Sequence, residues 1–226
     1  SFIVGGHLYG DNNNQLGTYP ASSLIANIDR INGTNSDFFI SLGDNIRESN
    51  DLQLNNFYHS FASKLDFPFF TVIGNHDVYG TPELFLELQR RTYYSFIYKG
   101  SSYIFLDAII NDGRIEDEQF AWLNKVIKII SESSEVKNLF VFSHKPIWYD
   151  QINEMGAFDD RYYHKFNFSK DILPQMLDLN KEIYLISDDF GGTINGMQAN
   201  LFYHQDSENN IFYISTGIGD NLNDML

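Results

Sequence analysis

The amino-acid sequence predicts a single α/β domain over residues 1–226, built from a mixed β-sheet system with helices on the outside. Strand-like apolar runs alternate with amphipathic helical segments in the first half of the chain, which is typical of βαβ units and mainly parallel strands. An aromatic-rich hairpin at 93–106 and a turn near 205–210 add antiparallel strands. The length fits one large domain, and no repeat or linker divides the chain.

Three segments carry the apolar spacing of a helix, at 21–31, 57–65 and 116–130. The last is the clearest, because Phe120, Leu123, Ile127 and Ile130 share one face and the first turn is acidic. Eight apolar segments of three to six residues carry the strand pattern. They are 2–4, 37–42, 69–73, 103–106, 139–143, 183–187, 200–203 and 211–215.

Composition excludes several classes of protein. The chain is 43% hydrophobic and 16% aromatic, which is enough for a substantial core and argues against disorder. No apolar run reaches the roughly 20 residues that a membrane helix needs. Thirty acidic and fifteen basic residues give a net charge of −15, which disfavours general nucleic-acid binding. The absence of cysteine excludes disulfides, thiol catalysis and thiolate metal sites.

The ends of the chain carry a separate expectation. The sequence starts at Ser1 on a strand-like segment without a signal-peptide pattern, and Leu226 falls within plausible structure. We therefore expect the chain to be a trimmed or processed piece of a longer product. Nothing in the sequence indicates a cell compartment.

Polar side chains follow the predicted strands at the point where each strand ends. Gly-Asn-His-Asp at 74–77 comes directly after the apolar run 67–73, and Gly43-Asp44-Asn45 follows the run 38–42. In an open α/β sheet, ligands bind just beyond the carboxyl ends of the strands. These two strand ends together therefore predict a metal-assisted hydrolytic site.

Three further strand ends follow the same rule. His7 comes after the first strand, His144 after the strand at 139–143, and Asp188 with Asp189 after the strand at 183–187. Five strand ends that present His, Asp or Asn at one edge indicate a functional site much more strongly than any one motif alone. The plain alternatives are that His7 is an ordinary hydrogen-bonded histidine and that Asp189 caps a turn.

With these motifs in this order, the chain resembles the calcineurin-like metallophosphoesterases over essentially its whole length. The resemblance implies two mixed β-sheets packed face to face, helices on the outside, and metals at the strand ends. It implies that Asp44 bridges two metals while Asn75 and His144 complete one of the two sites. It also implies that His76 acts on the substrate and that Asp77 orients His76.

The sequence departs from the family pattern at two motifs. The first family motif is Asp-x-His, and Gly5 stands where its Asp is expected. The last motif is Gly-His-x-His, and the segment 188–191 places Asp189 and Gly191 where its two histidines are expected. One metal thus keeps only His7 and the shared aspartate. We therefore predict about one tightly held cation, and we expect Asp188 to be solvated or to lie behind the ligands.

The retained ligand set of Asp44, Asn75, His144 and Asp189 is rich in oxygen. Such a set suits Mn²⁺, Mg²⁺, Fe²⁺ or Ca²⁺ better than a tetrahedral zinc site. The leading hypothesis is a phosphoester hydrolase that uses a metal-bound water and His76 as the proton donor. Phosphorylated small molecules, sugars or peptides are its expected substrates. The alternative is a catalytically impaired binding or interaction module.

The long aromatic loop at 146–169, which includes His164, is either a substrate-facing lid or a packed cover.

Overall fold

The computed structural model describes residues 1–10, 18–149, 166–188, 193–194, 197–198 and 201–217. Asp189, Gly191, His164 and most of the predicted lid loop lie outside these residues. The first sheet contains three parallel strands in the order β1-β2-β3, and its strand ends carry three of the predicted site motifs. These strands are β1 (Ile3–Gly5), β2 (Phe39–Ser41) and β3 (Phe69–Thr71).

The second sheet has six strands in the order β10-β11-β7-β6-β5-β4. The pairs β4/β5 and β10/β11 are antiparallel, as the predicted hairpins require, whereas β5, β6, β7 and β11 run parallel to one another. Two short strands, β8 and β9, pair separately. The bounds are β4 Tyr94–Tyr98, β5 Ser101–Phe105, β6 Asn138–Ser143, β7 Glu182–Ser187, β8 Thr193–Ile194, β9 Met197–Gln198, β10 Leu201–Asp206 and β11 Ile211–Thr216.

The two sheets pack face to face through an apolar, largely aromatic core. Phe38, Ile40 and Leu42 lie on the inner side of the first sheet, and Phe105 and Phe142 lie on the inner side of the second. The rings of Phe105 and Phe142 stack with their centroids 5.0 Å apart. This arrangement confirms the two-sheet sandwich that the family resemblance implied.

Helices cover both outer faces of the sandwich. The outer face of the first sheet packs against α1 to α4, and that of the second sheet packs against α5 and α6. Among the described residues, no helix is long and apolar enough to cross a membrane. The helices are α1 Ser22–Ala26, α2 Ile28–Asn32, α3 Asp51–Ser60, α4 Pro82–Gln89, α5 Asp117–Glu132 and α6 Leu173–Leu177.

Two helix predictions need correction. The segment predicted as one helix at 21–31 divides into α1 and α2 at Asn27, whose side-chain amide donates to the carbonyl of Ser23. Such local side-chain bonds compete with the helical backbone. The helix predicted at 57–65 starts earlier, because the side chain of Asn50 caps α3 by accepting from the N–H of Gln53. It ends at Ser60, and a 3-10 turn follows at Ala62–Lys64.

Candidate metal centre

The strand ends of both sheets meet at one edge of the sandwich, and their polar side chains come together there. Asp44 follows β2 and lies at the middle of the group. Its Oδ2 is 3.5 Å from Nδ1 of His7, and its Oδ1 is 3.5 Å from Nε2 of His144. The structure thus brings together residues 37 and 100 positions apart in the chain. Their predicted proximity is correct, and their roles as ligands stay predictions.

Glycines allow the loops after β2 and β3 to approach each other closely. Gly43 has a φ of +93°, and a Cβ on it would lie 2.7 Å from the backbone nitrogen of Gly74. A Cβ on Gly74 would overlap the Asp44 carboxylate. Asp44 itself adopts a left-handed φ of 53°. This backbone aims a buried carboxylate at the strand edge, where its Oδ1 accepts from the N–H of His76 at 3.0 Å.

Asp77 holds the Asp44 loop in place. Its buried carboxylate accepts backbone N–H groups from Asp44 at 3.0 Å, Asn45 at 2.9 Å and Gly74 at 2.9 Å. Burial, and then the charge of Asp44, raise the pKa of Asp77 to about 7, while the bonds from Gly74 and Asn45 oppose this shift. The expectation that Asp77 orients the imidazole of His76 is wrong, because its carboxylate bonds to the loop instead.

The imidazole of His76 is positioned by a backbone carbonyl. Its Nδ1 donates to the oxygen of Arg47 at 2.8 Å, and the side chain is half-buried. With the proton on Nδ1, Nε2 is the nitrogen that can exchange a proton with a bound molecule. The ring lies beside Tyr9, with centroids 4.9 Å apart, and 6.3 Å from the ring of His7. His76 therefore stands at the rim of the group rather than inside it.

His144 contacts two side-chain oxygen atoms through Nε2. Its Nδ1 donates to the carbonyl of Leu42 at 2.9 Å, so a neutral ring carries its lone pair on Nε2. That nitrogen lies 3.0 Å from Oδ1 of Asn75 and 3.5 Å from Oδ1 of Asp44. The contact between Nε2 and Asn75 is a hydrogen bond when Nε2 carries a proton. Either that proton or a divalent cation among these atoms would satisfy the buried arrangement.

Two of the donor separations can be compared with those around a small cation. Metal–ligand distances of about 2.1–2.4 Å place neighbouring donor atoms about 3.0–3.4 Å apart. Nε2 of His144 is 3.0 Å from Oδ1 of Asn75, within this range, and 3.5 Å from Oδ1 of Asp44, just beyond it. The second carboxylate oxygen of Asp44 is buried and accepts no hydrogen bond in the described part of the chain. Within that part, however, no three His, Asp or Glu side chains form a ready metal-holding group. A metal site here would therefore have to include the amide oxygen of Asn75.

His7 lies on the other side of Asp44. It adopts a left-handed φ of 55°, and its N–H donates to the carbonyl of Gly43 at 3.1 Å. Its Nδ1 faces Oδ2 of Asp44 at 3.5 Å and Oδ2 of Asp188 at 3.8 Å. The histidine that the motif predicted thus belongs to the same group of side chains.

Asp188 was expected either to be solvated or to lie behind the ligands. The first alternative is wrong, because only 2% of the Asp188 side chain is exposed. The second stays a prediction. Its Oδ2 lies 3.8 Å from Nδ1 of His7 and 3.8 Å from Nδ1 of His144. Its place follows from strand register, since Ser143 pairs with Ser187 and the residues that follow them are His144 and Asp188. The backbone confirms this register with a bond of 2.9 Å from the Asp188 N–H to the His144 carbonyl.

Comparison with known proteins agrees with this architecture. A model of the calcineurin-like phosphoesterase family matches residues 10–173. The chain therefore belongs to this family, whose members in general hydrolyse phosphoesters with divalent metals. The resemblance stated from the motifs is thereby confirmed. A search of curated protein sequences gave no significant match.

Solved structures share the fold at low sequence identity. A dimetal phosphatase from Danio rerio is similar with a TM-score of 0.66 and 14% identity, over 96% of this chain and 87% of that chain. The purple acid phosphatase PPD1 from yellow lupin (Lupinus luteus) seeds is similar with a TM-score of 0.60 and 11% identity. That match covers 96% of this chain and 43% of the lupin chain, which is less than half of it. These similarities support the two-sheet fold.

Proposed function

We propose that this chain is a metal-dependent phosphoester hydrolase with one tightly held divalent cation. The observation that carries the proposal is the group formed by Asp44 Oδ1, Asn75 Oδ1 and His144 Nε2, with separations of 3.0 and 3.5 Å. His76 lies next to this group, with its backbone bonded to Asp44 and its ring bonded to Arg47. Membership of the phosphoesterase family and the fold of the two phosphatases support the same reaction class.

The side chains of such a site have different roles. When bound, a divalent cation would polarise a phosphoryl oxygen of the substrate and lower the pKa of water. Asp44, Asn75 and His144 would hold it, and the carbonyl of Leu42 keeps the proton of a neutral His144 ring on Nδ1, which leaves Nε2 available. His76 protonates the leaving oxygen or stabilises the charge that develops on it.

The proposed metal is a hard cation, which prefers oxygen ligands, and the proposed substrate is a small phosphorylated molecule or peptide. The donor set of carboxylate and amide oxygen with one imidazole suits Mn²⁺, Fe²⁺, Mg²⁺ or Ca²⁺. A net charge of −15 disfavours an extended polyanion such as nucleic acid. A bound cation reverses the local sign at the strand edge, which admits a phosphorylated small molecule, sugar or peptide.

A binding or interaction module of the same fold is the second candidate. It is favoured by Gly5 at the end of β1, and by the fact that the described residues hold no complete group of three His, Asp or Glu side chains. The intact Gly-Asn-His-Asp segment at 74–77 favours the enzyme, because the proton-transfer residue serves no purpose in a pure binding module. The two candidates are distinguished by whether the protein hydrolyses a phosphoester, which only the enzyme would do.

The test is hydrolysis of p-nitrophenyl phosphate by the wild type and by His76→Ala, each with Mn²⁺, Fe²⁺, Mg²⁺ and Ca²⁺. The enzyme hypothesis predicts that His76→Ala lowers turnover by roughly 10²–10⁴-fold while bound metal is unchanged. His59→Ala is a matched control, because His59 lies exposed on α3. Background rates for the wild type with every metal, together with a fully occupied metal site, would favour the binding module.

A further inference from the structure

The aromatic ring of Tyr9 lies beside two of the histidine imidazoles at the strand edge. Its centroid is 4.6 Å from that of His7 and 4.9 Å from that of His76, and the two imidazole centroids are 6.3 Å apart. Tyr9 is only 1% exposed, and His76 is half-buried. The imidazole of His76 therefore packs against a ring that is itself held inside the protein. Tyr9 belongs to none of the motifs that the sequence predicted.

Backbone hydrogen bonds attach both Tyr9 and His76 to the loop that carries Asp44. The N–H of His7 donates to the carbonyl of Gly43 at 3.1 Å, and the N–H of Tyr9 donates to the carbonyl of Asp44 at 3.3 Å. On the other side of the loop, the N–H of His76 donates to Oδ1 of Asp44 at 3.0 Å. The contact between the Tyr9 and His76 rings is therefore set by the backbone of one loop.

A single hydrogen bond does not fix the plane of the His76 imidazole. Within the described residues, the ring is held by the bond of 2.8 Å from its Nδ1 to the carbonyl of Arg47. The χ2 torsion of a histidine has broad minima, so this bond alone leaves the ring free to swing. A neighbouring aromatic ring restricts that motion, because such pairs prefer tilted, edge-to-face or offset arrangements. The planes of Tyr9 and His76 are tilted by 56°.

We propose that Tyr9 is a positioning residue for His76. Its ring fixes the plane of the imidazole, so that Nδ1 stays on the carbonyl of Arg47 and Nε2 stays available to a bound phosphoester. This inference rests on the proposed function, because it assumes that His76 transfers a proton during hydrolysis. Displacement of a reacting group by about 1 Å can lower a rate by about 10²-fold. The ring of Tyr9 carries this role, and its hydroxyl does not.

The experiment measures kcat and KM for p-nitrophenyl phosphate in the metal that gives the wild type its highest turnover. Tyr9→Phe keeps the ring, whereas Tyr9→Leu and Tyr9→Met remove it, and the flexible methionine fills the space more closely. The matched control is Phe61→Leu, because Phe61 is fully buried but packs against phenylalanine rings rather than a site histidine. Thermal melting shows which variants are folded at the assay temperature.

We expect Tyr9→Leu and Tyr9→Met to lower kcat by roughly 10–100-fold while KM changes by less than about threefold. Tyr9→Phe and Phe61→Leu should keep kcat within about threefold of the wild type. Each ring-removing substitution is also combined with His76→Ala. In that background it should not lower turnover further, because a residue that acts through His76 has no effect once the imidazole is absent.

A second measurement does not depend on turnover. The ¹⁵N chemical shifts of the His76 imidazole, identified by their loss in His76→Ala, show which ring nitrogen carries the proton. With diamagnetic Mg²⁺ and a neutral ring, the wild type and Tyr9→Phe should show one tautomer with the proton on Nδ1. In Tyr9→Leu and Tyr9→Met the two shifts should move towards each other, because a ring that swings away from Arg47 populates both tautomers.

Two results would overturn the inference while leaving the proposed function intact. One is a set of His76 shifts that stays unchanged when the ring of Tyr9 is removed. The other is a further loss of turnover when Tyr9→Leu is added to His76→Ala, or a loss in Tyr9→Phe as large as in Tyr9→Leu. A wild type that hydrolyses the substrate with none of the metals would instead contradict the proposed function. The His76 shifts would then still decide whether Tyr9 holds the ring.

Discussion

Replacement of Asp77 should destabilise the metal-free protein more than replacement of the neighbouring His76. The Asp77 carboxylate accepts three buried backbone N–H groups at 2.9–3.0 Å, from Asp44, Asn45 and Gly74. Each donor left unsatisfied in a buried loop costs about 1–3 kcal/mol. Since water can enter part of the gap, we expect Asp77→Ala to lower the free energy of unfolding by about 3–6 kcal/mol. Asp77→Asn keeps one carboxamide oxygen and should cost about half as much.

The assay is urea denaturation in EDTA, followed by circular dichroism, so that metal binding does not contribute. His76→Ala serves as the comparison, because its ring makes one bond to the carbonyl of Arg47 and is half-buried. That bond is worth about 0.5–1.5 kcal/mol. The reasoning would be refuted if Asp77→Ala unfolded within about 1 kcal/mol of the wild type, a change typical of an ordinary surface residue. Equal losses for Asp77→Ala and His76→Ala would refute it as well.

The remaining predictions concern the metal. Asp44→Ala and His144→Ala should each abolish tight binding of Mn²⁺ in a calorimetric titration, because each removes a direct donor. His7→Ala should leave the tight site largely intact. Equal losses of Mn²⁺ binding in His7→Ala and His144→Ala would show that His7 is wrongly excluded from the ligands of that site. Elemental analysis after desalting should find about one tightly held divalent cation per chain, and two fully occupied sites would contradict this. Mn²⁺ at 100 times its dissociation constant should raise the free energy of unfolding by about 2.7 kcal/mol, measured by denaturation with and without metal.

Much of the fold follows from local patterns in the sequence. The periodicity at 116–130 predicts α5 well, because Leu123, Ile127 and Ile130 are buried on one face of Asp117–Glu132. The run at 38–42, apolar except for Ser41, indicates a strand buried on both sides. In the structure Phe38 and Ile40 lie between the sheets, whereas Phe39 packs under the outer helices. Which sheet each strand joins does not follow from such runs, because that choice depends on contacts far apart in the chain. The family resemblance supplied only the packing of two sheets face to face.

The candidate site follows from the sequence in part. The rule that ligands gather at the carboxyl ends of parallel strands placed Asp44 and His144 correctly at one edge. The function of Asp77 did not follow, since its partners are backbone N–H groups, and no residue type marks a backbone donor. The choice between Asp188 and its neighbour Asp189 did not follow from the motif either. It depends on strand register, because Ser143 pairs with Ser187 and the following residues therefore lie side by side.

Strand register also places Asp188 where no single motif does. Because several strands end at one edge, a side chain from one strand end can reach the space beyond another. Here β1 ends at Gly5, and the carboxylate of Asp188, just beyond β7, fills the space that a Cβ on Gly6 would need. Which side chains meet at this edge is therefore better inferred from all the strand ends together than from each motif alone.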